Sequence, residues 1–386
     1  MNILAIETSC DETAVSVVEM KGEFPRATFT VHANVVLSQA KLHAEYGGVF
    51  PSLAKREHAK NLVPICTEAL TQAKLYEKRE ARPLDPATKD RLTKLFEHEP
   101  KLLKQFLAFI PTLAQPTIDA IAVTAGPGLE PALWVGVNFA KALSLVWNTP
   151  LIPINHMEGH IFSAFITGDS FTLPEVEFPA VALLISGGHT ELVIMHGWMR
   201  YERIGETRDD AVGEAFDKVA RILGLPYPGG PEISRIAEKG KQNNDYTLPR
   251  PMIASGDLDF SFSGIKTAVL YMVKKIPDLT EQTKADIARE FETAVTEVLV
   301  KKTLAAAEYA NARTIILGGG VTANKTIAHA IRGAAEKSLM ITSVYTPSLT
   351  LSGDNAVMIG VAGLARISRG ITVISDSIRA RGTWRL

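Results

Sequence analysis

The feature that most constrains the fold is an internal echo between the two halves of the chain. Residues 3–19 read ILAIETSCDETAVSVVE, and residues 182–195 read ALLISGGHTELVIM. Each stretch is a short apolar strand, a turn of small and hydroxyl residues, and a second β-branched strand, which is the pattern of a β-hairpin with a polar tip. Two such hairpins, one opening each half, predict a duplicated fold with a cleft between the halves. A chance likeness of two hairpins is the alternative.

Strands and helices alternate after each hairpin. The apolar spacing predicts strands at 118–125, 151–154, 314–317 and 341–345, and helices at about 131–147, 209–223, 284–310, from 324 onward, and 355–368. This alternation predicts an α/β fold with mixed sheets.

Composition excludes several classes of protein. A chain of 386 residues has room for two or three domains, and its net charge of −1 gives no global basic field for nucleic acid. Cys10 and Cys66 are the only cysteines, which excludes a disulfide framework and a cysteine-rich zinc site. The chain shows neither a basic leader nor an apolar run of about 18 residues. We therefore expect a cytoplasmic protein with no membrane partner.

Four glycine-rich turns follow predicted strands, at 126–128, 186–188, 229–230 and 318–320. Glycine lets a backbone approach phosphate or sugar closely, and free N–H groups at a helix start favour anions. Four such turns in one α/β chain indicate a nucleotide cleft. Neither the P-loop motif nor G-x-G-x-x-G after the first strand is present, so the nucleotide is not held as in P-loop or Rossmann proteins.

A histidine pair, His156 and His160, lies in the sequence NHMEGH at 155–160. On a helix, residues four apart share one face with Cβ atoms about 5–6 Å apart. Such a pair alone is as readily structural as metal-binding, because a metal needs at least a third ligand. Asp354 before the last helix is the candidate for that ligand. The simpler interpretation of Asp354 is a helix N-cap. The order differs from His-Glu-x-x-His, and Glu158 is expected to point away from the pair.

Other polar residues allow two interpretations each. Asp11 and Glu12 at the first hairpin tip are either turn residues or carboxylates aimed into the cleft as a base or a metal-water ligand. Asp217 either pairs with Arg221 on the surface or accepts from ribose hydroxyls. His189 in the second hairpin tip either contacts substrate or completes the turn.

Three surface segments also remain ambiguous. Residues 76–117 look like an insertion, and a solvated helical hairpin is favoured there over a partner or RNA site. Residues 43–60 carry several basic side chains on either a solvated helix face or a phosphate-contacting surface. The same choice applies to Arg379, Arg381 and Arg385.

A series of motifs runs through the chain in order. They are IETSCDET at 6–13, HAEYGG at 43–48, TAGPGL at 124–129, HMEGH at 156–160, LISGGHTEL at 184–192, GEAFDK at 213–218, YPGGP at 227–231, FSFSGIKT at 260–267, GGGVTAN at 318–324 and GDNAVMIG at 353–360. Together they closely resemble the TsaD family of tRNA N6-adenosine threonylcarbamoyltransferases (the Kae/Gcp/Qri family), formerly described as O-sialoglycoprotein endopeptidases. The resemblance covers nearly the whole chain apart from roughly 76–117.

The resemblance implies an actin/Hsp70/sugar-kinase-like fold with two ribonuclease-H-like lobes around a nucleotide cleft, in agreement with the hairpin echo. We expect an N-terminal lobe at 1–155 with the helical insertion at about 76–117, a second lobe at 156–350, and a C-terminal helix and tail at 351–386 that return to the N-terminal lobe.

The resemblance also implies transfer of a threonylcarbamoyl group from threonylcarbamoyl-AMP to N6 of adenosine 37 in tRNAs that read ANN codons, with release of AMP. The implied partners are tRNA, a TsaB-like paralogue and a TsaE-like ATPase, and the implied cofactor is one divalent metal per subunit, Fe²⁺ ahead of Zn²⁺. The implied metal ligands are His156, His160 and Asp354, and the implied substrate contacts are Leu184, Ile185, Ser186, Gly187, Gly188, Asp217, Gly230 and Asn324. Asp11 is hypothesised to help deprotonate the attacking amine, with Glu12 beside it as a second catalytic candidate.

Three other functions stay open. A metalloprotease would need a general base beside the histidine pair, and this sequence has none at the usual spacing. A kinase or carbamoyltransferase of related fold would act on a small molecule. A non-catalytic partner subunit would have lost the histidine pair, which is intact here.

Overall fold

The computed structural model describes residues 1–241, 245–371 and 377–386. The strands are β1 (Asn2–Glu7), β2 (Glu12–Lys21), β3 (Thr28–Ser38), β4 (Ala120–Gly126), β5 (Leu151–Asn155), β6 (Ser170–Thr172), β7 (Ala180–Ile185), β8 (Thr190–Gly197), β9 (Arg200–Glu206), β10 (Thr314–Gly318) and β11 (Ser343–Tyr345). The helices are α1 (Ala40–Ala44), α2 (Pro51–Gln72), α3 (Pro86–Leu95), α4 (Pro100–Phe109), α5 (Glu130–Trp147), α6 (His156–Ser163), α7 (Val212–Ile222), α8 (Gly229–Ala237), α9 (Ser263–Lys274), α10 (Glu281–Tyr309), α11 (Lys325–Glu336) and α12 (Ala356–Ser368).

The two sheets repeat one topology. The first has the order β5-β4-β1-β2-β3-β6, and the second has the order β11-β10-β7-β8-β9. In each, a hairpin strand pairs antiparallel with its partner and parallel with a strand that follows a helix, as β1 does with β2 and β4 and β7 does with β8 and β10. The predicted duplication and the α/β fold of two ribonuclease-H-like lobes are therefore confirmed.

Helices α6 and α12 lie between the two sheets. One apolar core joins residues of β1 and β7 with residues of both helices, for example Ile3, Leu184, Ile161 and Ile359. The fit of α12 on the first sheet depends on Gly363, because a Cβ there would lie 2.8 Å from the Ile3 side chain and 2.9 Å from Ala122. This sandwich fixes the start of α6 against the start of α12.

The segment 76–117 differs from the solvated hairpin that we expected. It does hold two helices, α3 and α4, but their inner faces are part of the first lobe's core. Phe96 and Phe106 are fully buried and pack against each other with ring centroids 5.5 Å apart, and Phe106 also packs against Phe139 of α5. The many charged residues of this segment made its apolar face hard to recognise in the sequence, and that face covers the outer side of α2 and α5.

The segment 43–60 also contributes buried polar groups, since His43, Glu57 and His58 are buried while Arg56 and Lys60 face solvent. The C-terminal tail crosses the end of β4, where the Arg381 amide donates to the Ala125 carbonyl at 2.8 Å. No helix within the three described ranges has both the length and the apolar character needed to cross a bilayer.

Candidate metal centre and substrate cleft

The histidine pair lies on the first turn and a half of α6. Asn155 ends β5 and caps the helix, because its side-chain oxygen accepts from the amides of Met157 at 2.9 Å and Glu158 at 3.3 Å. Helical spacing then places the two imidazoles side by side, with ring centroids 4.6 Å apart and planes at 78°. The pair therefore lies on a helix, which is the condition under which its spacing brings the two rings together.

Asp354 lies opposite both histidines. Its Oδ1 atom is 3.3 Å from Nε2 of His156 and 3.2 Å from Nε2 of His160. The N-cap interpretation of Asp354 is wrong, because the next residue, Asn355, caps α12 by accepting from the Met358 amide at 3.0 Å. Asp354 is thus free to face the pair.

This geometry fits a metal ion. One ligand atom from each of His156, His160 and Asp354 lies within 4.8 Å of the others. Ligands held about 2.0–2.2 Å from one metal in a tetrahedral shell lie roughly 3.3–3.6 Å apart, close to the two distances above. Both ring nitrogens of the fully buried His160 lack a hydrogen-bond partner, although Nε2 is near the carboxylate. A cation between the three side chains would give Nε2 of His160 a partner.

Glu7, which the sequence reasoning missed, supports this site from behind. Its Oε2 atom accepts from Nδ1 of His156 at 3.1 Å and from the Thr124 hydroxyl, while Oε1 accepts from the Ser9 amide at 2.5 Å. A carboxylate on Nδ1 fixes the tautomer that leaves Nε2 free for a metal. The available signal was a glutamate that ends an otherwise apolar buried strand.

The pKa values of the three groups are set by burial and by the charges that the groups exert on one another. Burial alone would lower the pKa of His156, but the carboxylates of Asp354 and Glu7 raise it well above its usual range. Burial dominates at His160, which has no second carboxylate in contact, and its pKa is lowered. Burial opposes ionisation of Asp354 too, but the two imidazoles hold the pKa of this carboxyl well below its usual value.

Glu158 points away from the pair, as expected. It is fully buried and accepts from Nε of Arg366 at 2.7 Å and from the Tyr201 hydroxyl at 3.2 Å. This carboxylate therefore joins α6 to α12 and to β9. It is not placed to act as the general base that a zinc protease requires.

The first hairpin tip carries two further carboxyl groups near Asp354. Burial, and then the charge of Asp354, raises the pKa of Asp11. The same causes, with Asp11 added, raise the pKa of Glu12 to about 9. Glu12 accepts from the Ser38 hydroxyl at 2.9 Å, and the Asp11 carbonyl accepts from the Gln39 amide at 2.9 Å. The tip is thus held by the end of β3.

His58 of α2 holds the same tip from the other side. Its Nε2 atom lies 2.9 Å from the Cys10 carbonyl, which can only accept, so Nε2 carries the proton and Nδ1 accepts from the Thr13 hydroxyl at 2.7 Å. Burial lowers the pKa of His58 to about 4, so the ring is neutral at pH 7.

The second hairpin tip contains the predicted contacts at 184–188. Leu184 and Ile185 are the buried last residues of β7, whereas Gly187 and Gly188 are exposed. The turn is closed by Ser186, whose hydroxyl accepts from the His189 amide at 3.1 Å and whose amide donates to the His189 carbonyl at 2.9 Å. His189 therefore completes the turn through its backbone, and burial lowers the pKa of its ring to about 4.

Asp217 and Gly230 meet at the junction of α7 and α8. The Asp217 carboxylate accepts from the Gly229 amide at 2.7 Å, while Arg221 donates to the Gly47 carbonyl of the first lobe. Asp217 and Arg221 thus each bond to a different backbone group, and the interpretation of these two residues as a surface pair is wrong. Burial raises the pKa of Asp217, and the charge of Asp11 also raises it. The hydrogen bond from Arg221 to Gly47 shows that the two lobes are in contact here.

Asn324 lies on the same side of the second lobe. Its side-chain oxygen caps α11 by accepting from Ile327 at 3.0 Å, and its amide donates to Ser234 of α8 at 2.9 Å and to Glu292 at 2.7 Å. The structure thus connects Asn324, α8 and Asp217 through direct contacts. The metal candidates form a separate group between the sheets.

Comparison with known proteins gives a consistent result. The model of the family "TsaD: tRNA N6-adenosine threonylcarbamoyltransferase" matches residues 30–79 and 98–361. A tRNA N6-adenosine threonylcarbamoyltransferase of Chromobacterium violaceum is 42% identical over 371 residues, covering 95% of this chain and 93% of the relative. That of Persephonella marina is 39% identical over 389 residues, covering 100% and 96%. Among solved structures, component A of the Acidaminococcus fermentans (R)-2-hydroxyglutaryl-CoA dehydratase has a TM-score of 0.47 at 12% identity, over 96% of this chain and 99% of that one.

Proposed function

The chain belongs to the TsaD family of tRNA N6-adenosine threonylcarbamoyltransferases, and from this premise we propose how its residues serve the reaction. The enzyme transfers a threonylcarbamoyl group from threonylcarbamoyl-AMP to N6 of adenosine 37 in tRNAs that read ANN codons. The observation that carries this conclusion is the match of the family model and of relatives over nearly the full chain. A new N6–carbon bond forms, the bond from the carbamoyl carbon to the phosphate oxygen breaks, and AMP leaves.

The main chemical obstacle is the nucleophile. The lone pair of an exocyclic adenine amine is delocalised into the ring, so the carbonyl must be polarised and the amine must lose a proton. His156, His160 and Asp354 would hold a divalent metal, which when bound supplies Lewis-acid polarisation of substrate oxygens. Two imidazoles and one carboxylate suit iron or zinc and leave coordination positions open. We propose Fe²⁺ first and Zn²⁺ second.

Asp11 is the proposed acceptor of the N6 proton. It lies on the tip that His58 and Ser38 hold in place, and it is close enough to Asp354 for the two charges to interact. A raised pKa brings a carboxyl nearer to neutral pH, which makes it a better base. In the metal-free protein Glu12, with its pKa of about 9, is protonated at neutral pH and would donate a hydrogen bond.

The second lobe is proposed to hold the adenylate. The Ser186–Gly188 turn has open space at its two exposed glycines, Gly187 and Gly188, because a Cβ at either position would meet no atom within 4 Å. Amides of such turns suit phosphate oxygens. We propose that Asp217, whose carboxylate accepts from the Gly229 amide, also accepts from ribose hydroxyls with Gly230 beside it, and that Asn324 positions α8 through Ser234.

The protein partners are also part of the proposal. Because the family acts on tRNA, we expect tRNA as the macromolecular substrate, and we propose a TsaB-like paralogue and a TsaE-like ATPase as accessory proteins in the cytoplasm. The family model does not match residues 80–97 of this chain, which lie within the predicted insertion and include α3. We therefore expect partner contacts on this side of the first lobe to differ from those of relatives.

The test is mass analysis of tRNA nucleosides. Unmodified tRNA is incubated with the protein, threonine, bicarbonate, ATP and an adenylate-forming enzyme, with and without the accessory proteins. Threonylcarbamoyladenosine should appear, and the His156→Ala variant should abolish it. If no combination of partners yields the modified nucleoside, the proposed function is wrong. ATP-dependent labelling of a small molecule without tRNA would favour a metabolite-directed transferase instead.

A further inference from the structure

Residues 36–50 carry a cluster of exposed apolar side chains. Two of them are aromatic and belong together. Tyr46 is 62% exposed and Phe50 is 51% exposed, and their rings stack with centroids 5.7 Å apart and planes at 19°. We name these two residues the aromatic ledge. Val36, Leu37 and Leu42 of the same segment are also exposed.

The backbone beneath the aromatic ledge is firmly held. His43 is buried, and its Nδ1 atom accepts from the Phe50 amide at 3.2 Å. Its Nε2 atom lies 3.2 Å from the side-chain oxygen of Gln39. Gly47, with φ at 67°, makes the turn between the two rings. The rings are therefore presented to solvent by an ordered turn.

The aromatic ledge lies at the mouth of the proposed cleft. On one side the Gln39 amide binds the Asp11 carbonyl, which connects the segment to the first hairpin tip. On the other side Arg221 donates to the Gly47 carbonyl, one helical turn after Asp217. The segment that carries the two rings is therefore bonded to the tip that holds Asp11 and to the helix that holds Asp217.

Basic side chains flank the two rings in the sequence. Residues 36–60 contain Lys41, Lys55, Arg56 and Lys60 against two glutamates, and Lys41, Arg56 and Lys60 are exposed. Lys55 pairs with Glu99, and both Arg56 and Lys60 lie within 4 Å of Glu57. Aromatic faces interleaved with cations suit single-stranded nucleic acid, whose bases stack and whose phosphates are attracted. An apolar protein partner would not need this charge.

We infer that the aromatic ledge stacks a base of the tRNA anticodon loop next to the target adenosine. This inference rests on the proposed function. An adenosine whose N6 enters a cleft must leave the base stack, and its neighbours then lose a stacking surface. In tRNAs that read ANN codons the base before adenosine 37 pairs with the codon's A and is therefore a uridine. The ledge would replace the lost stacking for that base.

The test compares tRNA affinity among full-length variants, with the accessory proteins present. Tyr46→Ala and Phe50→Ala should each raise the Kd for an unmodified tRNA reading an ANN codon by roughly 5- to 150-fold, the range of one base–aromatic contact. Tyr46→Phe and Phe50→Tyr keep the ring and should change Kd less than about threefold. Tyr271→Ala and Tyr309→Ala, at exposed tyrosines of the second lobe, are matched controls.

A second measurement does not depend on substitution. A tRNA carrying 5-iodouridine at the base before adenosine 37 should photocrosslink to the peptide that contains the aromatic ledge. The inference is overturned if the Kd for tRNA is unchanged in both alanine variants, or if the crosslink is found only in other peptides. It is also overturned if Tyr46→Phe and Phe50→Tyr weaken tRNA binding as much as the alanine variants do. If the alanine variants no longer bind an accessory protein but keep their affinity for tRNA, the inference is also overturned. If the unaltered protein neither binds nor modifies tRNA, the proposed function itself has failed.

Discussion

Replacing Glu7 with glutamine should weaken metal binding without removing any ligand. Oε1 of Glu7 accepts from the Ser9 amide at 2.5 Å, so the glutamine oxygen must occupy that position. The new NH₂ group then faces Thr124 and Nδ1 of His156, where the carboxylate oxygen was. A donor there forces Nδ1 to accept, which moves the imidazole proton to Nε2. That proton points at Asp354, 3.3 Å away, and blocks the nitrogen that would bind the metal.

The expected size follows from this tautomer change. Loss of the partner behind a metal-binding histidine typically costs 10–100-fold in metal affinity, which is about 1.4–2.7 kcal/mol. His160 and Asp354 are untouched, so binding should be weakened and not abolished. The folded state should survive, because glutamine matches the size of glutamate.

The assay is titration of metal-free protein with Zn²⁺ against a competing chelator, accompanied by thermal unfolding. Glu19→Gln is the matched control, since it removes a carboxylate from the same hairpin where the side chain pairs with Lys21 and His32, away from His156. If Glu7→Gln binds Zn²⁺ within about twofold of the unaltered protein, the assignment of Glu7 as the residue that fixes the His156 tautomer is refuted.

Three other substitutions test separate parts of the structure. Asp11→Ala should lower the rate of threonylcarbamoyl transfer by roughly 10²–10⁴-fold while the Kd for the adenylate changes little, as measured by single-turnover kinetics and calorimetry; an unchanged rate would exclude its role as base. Arg366→Met leaves Glu158 buried without its cation and should cost about 3–5 kcal/mol in urea unfolding at pH 7, less at pH 5 where the carboxyl can be protonated, whereas Arg369→Met on the exposed helix end should cost little. The pKa of Glu12 is about 9 in the folded metal-free protein and 4.5 in the unfolded chain. The unfolded chain therefore loses this proton at lower pH, and the free energy of unfolding should fall as pH rises between these values. Glu12→Gln should flatten that slope in urea unfolding measured from pH 5 to pH 8.5, and an unchanged slope would contradict the burial of this group.

The sequence was sufficient for features that depend on local periodicity. The two hairpins follow from strand alternation, and the direction of Glu158 away from the histidine pair follows from helical spacing. The inner face of α4 was harder to see, because lysines separate Leu102, Phe106 and Phe109 and the segment reads as charged.

Contacts between distant parts of the chain could not be predicted in this way. Ser9 and Asp354 are 345 positions apart, yet the serine hydroxyl lies 3.4 Å from the carboxylate. Glu7 was missed because its meaning depends on His156, which reaches it only after α6 packs between the sheets. The N-cap interpretation of Asp354 failed for a smaller reason. Asn355 is an equally good cap one position later, and local sequence cannot choose between the two.

The position of α12 between the two sheets has a consequence for the timing of synthesis. Asp354 precedes this helix, so a nascent chain emerging from the ribosome acquires its third candidate ligand only after both sheets have been translated. Two histidines alone make a poor metal site, and a metal retained by all three residues stabilises only the fully assembled arrangement. Metal retention would then act as quality control, distinguishing finished molecules from those whose last helix has not yet docked.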